Sequence, residues 1–236
     1  MHGGAALRPG QGPGGYNAGM GDPFVTVEHQ LPGWQLSWAE VTWDGVDRAG
    51  AMAELRRRVA AEAREWWGRV AAAEFPVTAA VRRLFRRAGC DPTRYRPSSE
   101  ALLRRLLKGE ELPPIHPLVD LNNCLSVAVG MPACVMAAGS VAPPFVLRAG
   151  APGERMESLR GPFDLAGKPL LADGKGPFGT PITDSERVRV GEGTREVLLV
   201  VYVPAEVAGQ DAVADTFEKL VGRAPGIAPG RRTVTR

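Results

Sequence analysis

The stretch that most constrains this chain runs from His116 to Pro132 and reads His-Pro-Leu-Val-Asp-Leu-Asn-Asn-Cys-Leu-Ser-Val-Ala-Val-Gly-Met-Pro. Pro117 stands near a helix start, where its missing N–H costs nothing. Leu118, Leu121, Leu125 and Val129 recur at helical spacing and make one apolar face. Asp120, Asn123 and Ser126 lie off that stripe, about one turn apart. Gly130 and then Pro132 end the helix. A dense apolar face with small polar residues beside it suits the packed floor of a pocket. An ordinary core helix carries the same pattern, and pattern alone favours that plainer reading.

A chain of 236 residues makes one large domain, or one domain with an appendage. Its 44% hydrophobic and 23% charged content is that of a globular protein with a substantial core. Cys90, Cys124 and Cys134 are odd in number and scattered, which argues against a disulfide framework and against a structural zinc site. No stretch approaches about 18 uninterrupted apolar residues, so no membrane span is expected. The first residues hold no apolar signal core, and a cytoplasmic location is expected.

The residues from Met1 to Asp22 are mostly Gly, Ala and Pro and read as a disordered tail. Phe24, Val25 and Val27 suggest a strand. Trp34, Leu36, Trp38, Val41 and Trp43 alternate approximately, as in a strand or hairpin with one buried face. Three Trp this close can stack on a base or a sugar, but more often they pack a core. Asp47 to Glu74 reads as a long amphipathic helix with Met52, Leu55, Val59, Ala63, Trp66 and Val70 inward.

Pro76 to Cys90 predicts a second helix with Val77, Val81, Leu84 and Phe85 inward, broken by Asp91-Pro92. Ser98 or Ser99 then caps a third helix, Glu100 to Lys108, whose inner side is Leu102, Leu103, Leu106 and Leu107. Between these apolar positions lie Arg82, Arg83, Arg86, Arg87, Arg94, Arg96, Arg104, Arg105 and Lys108, opposed by Asp91 and Glu100. A net charge of +3 says little, but this asymmetry suits a phosphate backbone, because neutralising phosphates releases counterions. A solvated helix face, or arginines paired with Glu110 and Glu111, accounts for it equally well.

After the central helix the pattern turns to β. Strands are expected at Phe145–Ala149, Glu154–Leu159, Pro169–Asp173, Val188–Val190 and Glu196–Val203. The last is a nearly continuous apolar run, as in a strand buried on both faces. Val213 to Val221 reads as a final helix, and Ala224 to Arg236 as a loose basic tail.

Familiar catalytic signatures are missing. A Ser-His-Asp triad would have to use His29 or His116. There is no Gly-x-Ser-x-Gly elbow and no Walker-type loop, and Gly174-Lys175-Gly176 is too short to count. No His, Asp or Glu cluster has metal-ligand spacing, so neither metal nor cofactor is expected. Cys134 is a candidate nucleophile, although a buried inert thiol is the commoner case.

Several pieces nevertheless occur in a suggestive order. They are Leu118-Val119-Asp120-Leu121-Asn122-Asn123, Gly130-Met131-Pro132, Leu147-Arg148-Ala149, Gly153-Glu154, Leu171-Ala172-Asp173, Thr194 and the strand to Val203. This order resembles the B3/4 domain of the phenylalanyl-tRNA synthetase β subunit. The loop Gly176-Pro177-Phe178-Gly179-Thr180-Pro181, running on to Asp184-Ser185, looks like free-standing members of that family, as does the lead-in Tyr95-Arg96-Pro97-Ser98-Ser99-Glu100. The resemblance spans about Phe75 to Pro225.

It implies an α+β, three-layer PheT/TilS-like fold with a β-sandwich of unusual topology, preceded by helices. It also implies hydrolysis of the ester of a mischarged tRNA, by double-sieve logic. The ester is already activated, so a site that positions water and the terminal ribose needs no protein nucleophile. By this resemblance Asn123 matches the family's central-helix Asn. Arg148 and Glu154 match its Arg-Ala and Gly-Glu positions, and Asp173 and Thr194 match later strands. Where the synthetase commonly has a His after Gly-x-Pro, this chain has Cys134. For the carboxylate that recognises a tyrosine hydroxyl, Glu154 and Asp184 are the candidates.

The expected organisation is a tail over 1–22, a strand and helix extension over 23–74, a B3/4-like domain over 75–225 and a basic tail over 226–236. The expected function is hydrolysis of mischarged aminoacyl-tRNA in trans, with tRNA as the partner. The basic helices would hold the tRNA, and a pocket near Asn123, Cys134, Arg148 and Asp173 would hold its aminoacyl end. Two alternatives remain. One is a tRNA- or RNA-binding module without the chemistry; the other is a small-molecule binder, for an amino acid, using the same pocket.

Overall fold

The apolar run from Val197 to Val203 is covered on both sides, as its composition demands. Val197, Leu199, Val201 and Val203 face one apolar core, and Val200 and Tyr202 face a second. The structure is a computed structural model that describes residues 24–46, 48, 50–68, 71–207 and 210–236. The stretch expected to be a disordered tail lies outside those residues, and so does Val70.

In chain order the elements are β1 (Val27–His29), β2 (Trp34–Trp43), α1 (Ala51–Trp67), α2 (Pro76–Ala88), α3 (Ser98–Leu107) and α4 (Pro117–Val129). Next come β3 (Ala133–Ala137), β4 (Phe145–Ala149), β5 (Arg155–Ser158), β6 (Gly161–Asp164), β7 (Pro169–Asp173) and β8 (Gly176–Gly179). The chain closes with β9 (Glu196–Pro204), α5 (Gln210–Val221) and β10 (Ile227–Thr235).

Two four-stranded sheets, ordered β10-β2-β9-β3 and β1-β4-β7-β8, face each other, and β5-β6 form a small ribbon. Pairing is antiparallel except between β1 and β4. In β2 the period-2 alternation sends Trp34, Leu36 and Trp38 toward the second sheet, where they meet Phe145, Leu147 and Phe178. Ala39 and Val41 point the other way, toward α1, α3, α4 and α5. The molecule is therefore α+β, with a helical layer, a middle sheet and an outer sheet. Burying each large apolar side chain contributes roughly 1.5–3 kcal/mol, so two such cores outweigh any local propensity in β9.

The central helix forms where expected. Leu118, Leu121, Leu125 and Val129 are all buried, but so are Asp120, Asn122, Cys124, Ser126 and Val127. It is a helix covered nearly all round, packed on β3 and between α1, α3 and α5. Ser126 Oγ donates to Met131 O at 2.8 Å and ties down the turn that follows. Gly130 closes the helix at φ 69, and a Cβ there would meet Val77 Cγ1 at 2.8 Å. Both the left-handed backbone and the close approach of α2 require glycine.

Four expectations are corrected. The tail over 226–236 is strand β10, paired antiparallel along β2 with a register shift between Pro229 and Arg232. Its partner lies far away in sequence, so local composition did not reveal it. The long helix to Glu74 stops at Trp67, with a 3-10 turn at Ala72–Glu74. Trp67 rather than Trp66 is its buried tryptophan, with its ring tilted against Phe75 at a centroid distance of 4.5 Å. Val188 ends a 3-10 turn, Glu186–Val188, instead of starting a strand. Finally, neither Ser98 nor Ser99 caps α3, since Pro97 holds that position and neither hydroxyl has a partner among the described residues.

Candidate functional site

Two edge strands, β3 and β8, bring the candidate residues of most chemical interest together. Cys134 points from β3 into the space between the sheets. Its thiol donates to Thr180 O at 3.2 Å and lies 3.9 Å from Tyr202 Oη. Asp184 arrives from the loop after β8, where Gly179 and Asp184 form an isolated bridge. That loop is tightly turned: Thr180 Oγ1 donates to Thr183 O at 2.8 Å and accepts from Thr183 N at 2.9 Å. Gly179 forms the wall, and a Cβ there would stand 3.2 Å from Asp184 Oδ1 and 3.6 Å from Cys134 Sγ.

This centre is polar and closed to solvent. Asp184 Oδ1 is shut from solvent and has no hydrogen-bond partner among the described residues. Burial pushes the carboxyl up to about 7, with the neighbouring Cys134 thiol and Val135 N–H acting in the opposite direction. Burial raises Cys134 and Tyr202 well above their ordinary values, and Asp184 raises both further, while the Tyr202 hydroxyl beside Cys134 works in the opposite direction on the thiol. Cys134 is therefore a neutral thiol at neutral pH and not an activated nucleophile. Asp184, in contrast, is a carboxyl tuned to the range where it can take up or release a proton.

The remaining candidates lie apart from that pair in their bonding. Arg148 and Glu154 grip each other bidentately at 2.8 and 2.6 Å, and Glu154 also accepts from Ala151 N. The Arg148 guanidinium, helped by the Ala151 N–H, holds Glu154 below the usual carboxylate range. Of the two carboxylates weighed for the pocket, Asp184 is thus the one beside Cys134, and Glu154 closes a turn. Asp173 is clasped by Arg187 at 2.7 Å and by the N–H groups of Lys175 and Ala142. Burial opposes its ionisation, but these donors outweigh it and hold the carboxyl low.

Thr194 Oγ1 accepts from Gly191 N at 2.9 Å and closes a surface turn. Asn123 is part-buried on α4, and its side chain makes no hydrogen bond among the described residues. Its neighbour Asn122 is the buried one, reaching Ala133 O at 3.4 Å, and its Oδ1 has no partner among the described residues. A cleft of about 300 Å³ opens elsewhere, lined by Trp43, Ile115, His116, Pro117, Val190, Gly191 and Glu192, and by none of the seven pocket candidates.

The expected basic face divides into paired and free cations. Arg82, Arg96 and Arg104 converge on Glu100, which is fully buried. Arg83 pairs with Glu206, and Arg105 with Glu110. Arg94 stacks over Tyr95 at 5.1 Å. Arg86, Arg87 and Lys108 are exposed, and among the described residues their side chains make no ion pair. Sequence reading missed Tyr202, Gly179 and Asn122, because each sits inside a pattern that apolar burial or a turn already explained.

The match to a known family is over residues 80–221, to the B3/4 domain, which is more than half of the chain. The chain belongs to the B3/4 domain family. The solved N-terminal fragment of the phenylalanyl-tRNA synthetase β subunit from Pyrococcus horikoshii is similar at 14% identity and a TM-score of 0.46, over 90% of this chain and 54% of that one. The chain thus spans about half the length of that fragment. No curated protein matches it. Among the described residues of this B3/4 domain, no helix is long and apolar enough to cross a membrane, and no group of three or more His, Cys, Asp or Glu could hold a metal.

Proposed function

We propose that this B3/4 domain hydrolyses the ester of mischarged aminoacyl-tRNA in trans, with Asp184 as the proton-accepting group. Family membership supports a tRNA-associated context. The observation that carries the chemistry is the Asp184 carboxyl, buried against Cys134 and Tyr202 and raised to about 7. Water attacks the acyl carbonyl, the acyl C–O bond breaks, and the ribose hydroxyl departs with a proton. A carboxylate with a pKa near the working pH accepts the proton of the attacking water efficiently. No covalent intermediate is required, which agrees with a protonated Cys134.

Entry of the aminoacyl end requires the Thr180–Asp184 loop to move, because the centre is packed shut around Gly179. The same movement presents Asp184 to water.

The test is deacylation of a panel of mischarged tRNAs by the purified chain across pH 5.5–8.5. The expected result is turnover that rises through about pH 7 and falls at least tenfold in Asp184→Asn. Turnover no faster than the uncatalysed rate on every tRNA would reject hydrolysis.

A second reading is favoured by the inert thiol at the place where the synthetase commonly has a His. In that reading the domain binds tRNA without cleaving the ester. Binding that weakens steeply with salt, with no turnover, selects it.

A further inference from the structure

Glu100 is surrounded by more positive charge than it needs. Its side chain is 0% exposed, and Arg82 Nη1 alone reaches both of its oxygens, at 2.9 and 3.2 Å. Arg82 is also spent on Pro92 O and Thr93 Oγ1, so its bonding capacity is turned inward. A buried carboxylate must be paired, and this guanidinium pairs it.

Two further guanidiniums nevertheless approach the same oxygen. Arg104 Nε donates to Glu100 Oε1 at 3.1 Å, and Arg96 Nε lies 3.5 Å from it. Both side chains are about 40% exposed. Both turn Nε inward, and among the described residues neither Nη pair has a protein partner. Three like charges around one carboxylate repel one another, and an anion on the outer side relieves that repulsion. A guanidinium edge matches a phosphate bidentately, which an ammonium cannot do.

We propose that Arg96 and Arg104, held side by side by the buried Glu100, form a clamp for a backbone phosphate of RNA. This rests on the reading of the chain as a tRNA-acting domain and names the contact that reading lacks. Glu100 is a positioning residue and does not touch the RNA.

The clamp also connects to the candidate centre. Ser98 N donates to Pro181 O at 2.9 Å, so the start of α3 is bonded to the loop that carries Asp184. An RNA strand gripped at Arg96 is thereby held beside the loop that must move.

The test is the affinity of the full chain for deacylated tRNA, by fluorescence anisotropy over a series of salt concentrations. In Arg96→Gln/Arg104→Gln the slope of log affinity against log salt falls by roughly 0.7–0.9, the change expected when the one clamped phosphate contact is lost. Arg83→Gln, whose cation is already paired, leaves the slope unchanged. Arg96→Lys/Arg104→Lys keeps the charge, so the slope holds while affinity drops several-fold.

Glu100→Gln gives the sharpest contrast. It adds a positive charge to the chain, so a merely electrostatic face binds more tightly, whereas a positioned clamp binds more weakly. If Glu100→Gln does not fold, the lysine pair decides. Wild-type affinity and slope in the glutamine pair overturn the clamp and leave the hydrolysis reading standing. No tRNA binding by the wild-type chain overturns both. Inorganic phosphate that stabilises the wild-type chain but not the glutamine pair, in a chain without tRNA affinity, assigns the forks to a small phosphate and overturns the RNA partner.

Discussion

The Asp184 carboxyl and the Cys134 thiol meet between the edge strands of two different sheets, and burial there holds both away from charge. Neither strand alone would bury them. Pairing β3 to β9 fixes the thiol, and the Thr180–Thr183 turn fixes the carboxyl. The groups facing Asp184 are Cys134, Tyr202 and the Val135 N–H, and none of them carries a charge at neutral pH.

Stability therefore depends on pH through Asp184. Its folded pKa, about 7, lies above its ordinary 3.8, so the folded chain keeps a proton that the unfolded chain has lost. That contribution is complete at low pH and disappears as pH rises from about 4 to about 7, at a cost on the order of a few kcal/mol. Asp184→Asn is expected to flatten this part of the profile and to be relatively more stable than wild type at pH 8. Urea midpoints between pH 4.5 and 8 measure it. Parallel profiles for the two chains would show that Asp184 is not held neutral.

The thiols give a second prediction. Cys134, Cys124 and Cys90 are all buried, with burial raising Cys124 to about 12 and Cys90 to about 11. The thiolate is the reactive form. Each cysteine is expected to react with a thiol reagent only as fast as the chain opens, and all three at once in denaturant. Fast labelling of Cys134 in the folded chain would mean that the Thr180–Asp184 loop is open in solution.

The clasp between Arg187 and Asp173 is a structural joint, unlike the Asp184 centre. Asp173 is 1% exposed at its side chain, and Arg187 also donates to Ser140 O and Gly176 O. Arg187→Met strands a buried carboxylate and should cost about 3–5 kcal/mol. The more exposed Arg148–Glu154 pair should cost less, about 1 kcal/mol. Asp173 is held low in the fold, so its contribution is present above its unfolded value and lost as pH falls. Chemical unfolding at pH 7 and pH 4 separates these outcomes: the penalty of Arg187→Met should shrink at the lower pH.

Much of this was legible because apolar periodicity reports burial directly. The stripe of α4, the alternation of β2 and the run in β9 all lie where their spacing put them. What burial alone does not give is which polar residue is enclosed. Asn123 and Asn122 are adjacent, and the packing of α4 decided that Asn122 is the inner one. Cys134 and Asp184 were both readable as candidates, but their meeting depends on two sheets stacking, which no local pattern encodes. The nine cations were readable as a face, whereas the three-to-one arrangement at Glu100 appears only when α2 and α3 pack. The weakest signal belonged to β10, where Pro229, Gly230, Arg231 and Arg232 look like a tail.

That segment supports the last prediction. Strand β10 covers the free edge of β2 from Trp43 to Leu36. Thr235 Oγ1 accepts from Trp38 Nε1 at 3.2 Å and lies 3.1 Å from His29 Nε2, while Arg231 grips Glu40 at 2.5 Å. Removing residues 227–236 exposes a ten-residue strand rich in tryptophan, with its edge hydrogen-bonding groups open. Each lost backbone hydrogen bond costs about 1 kcal/mol, and the buried Ile227 adds roughly 1.5–3 kcal/mol. The truncated chain is expected to unfold several degrees lower and to associate with itself. Differential scanning calorimetry with light scattering would register both. A monodisperse truncated chain with an unchanged melting temperature would mean that β10 contributes nothing to the sheet it borders.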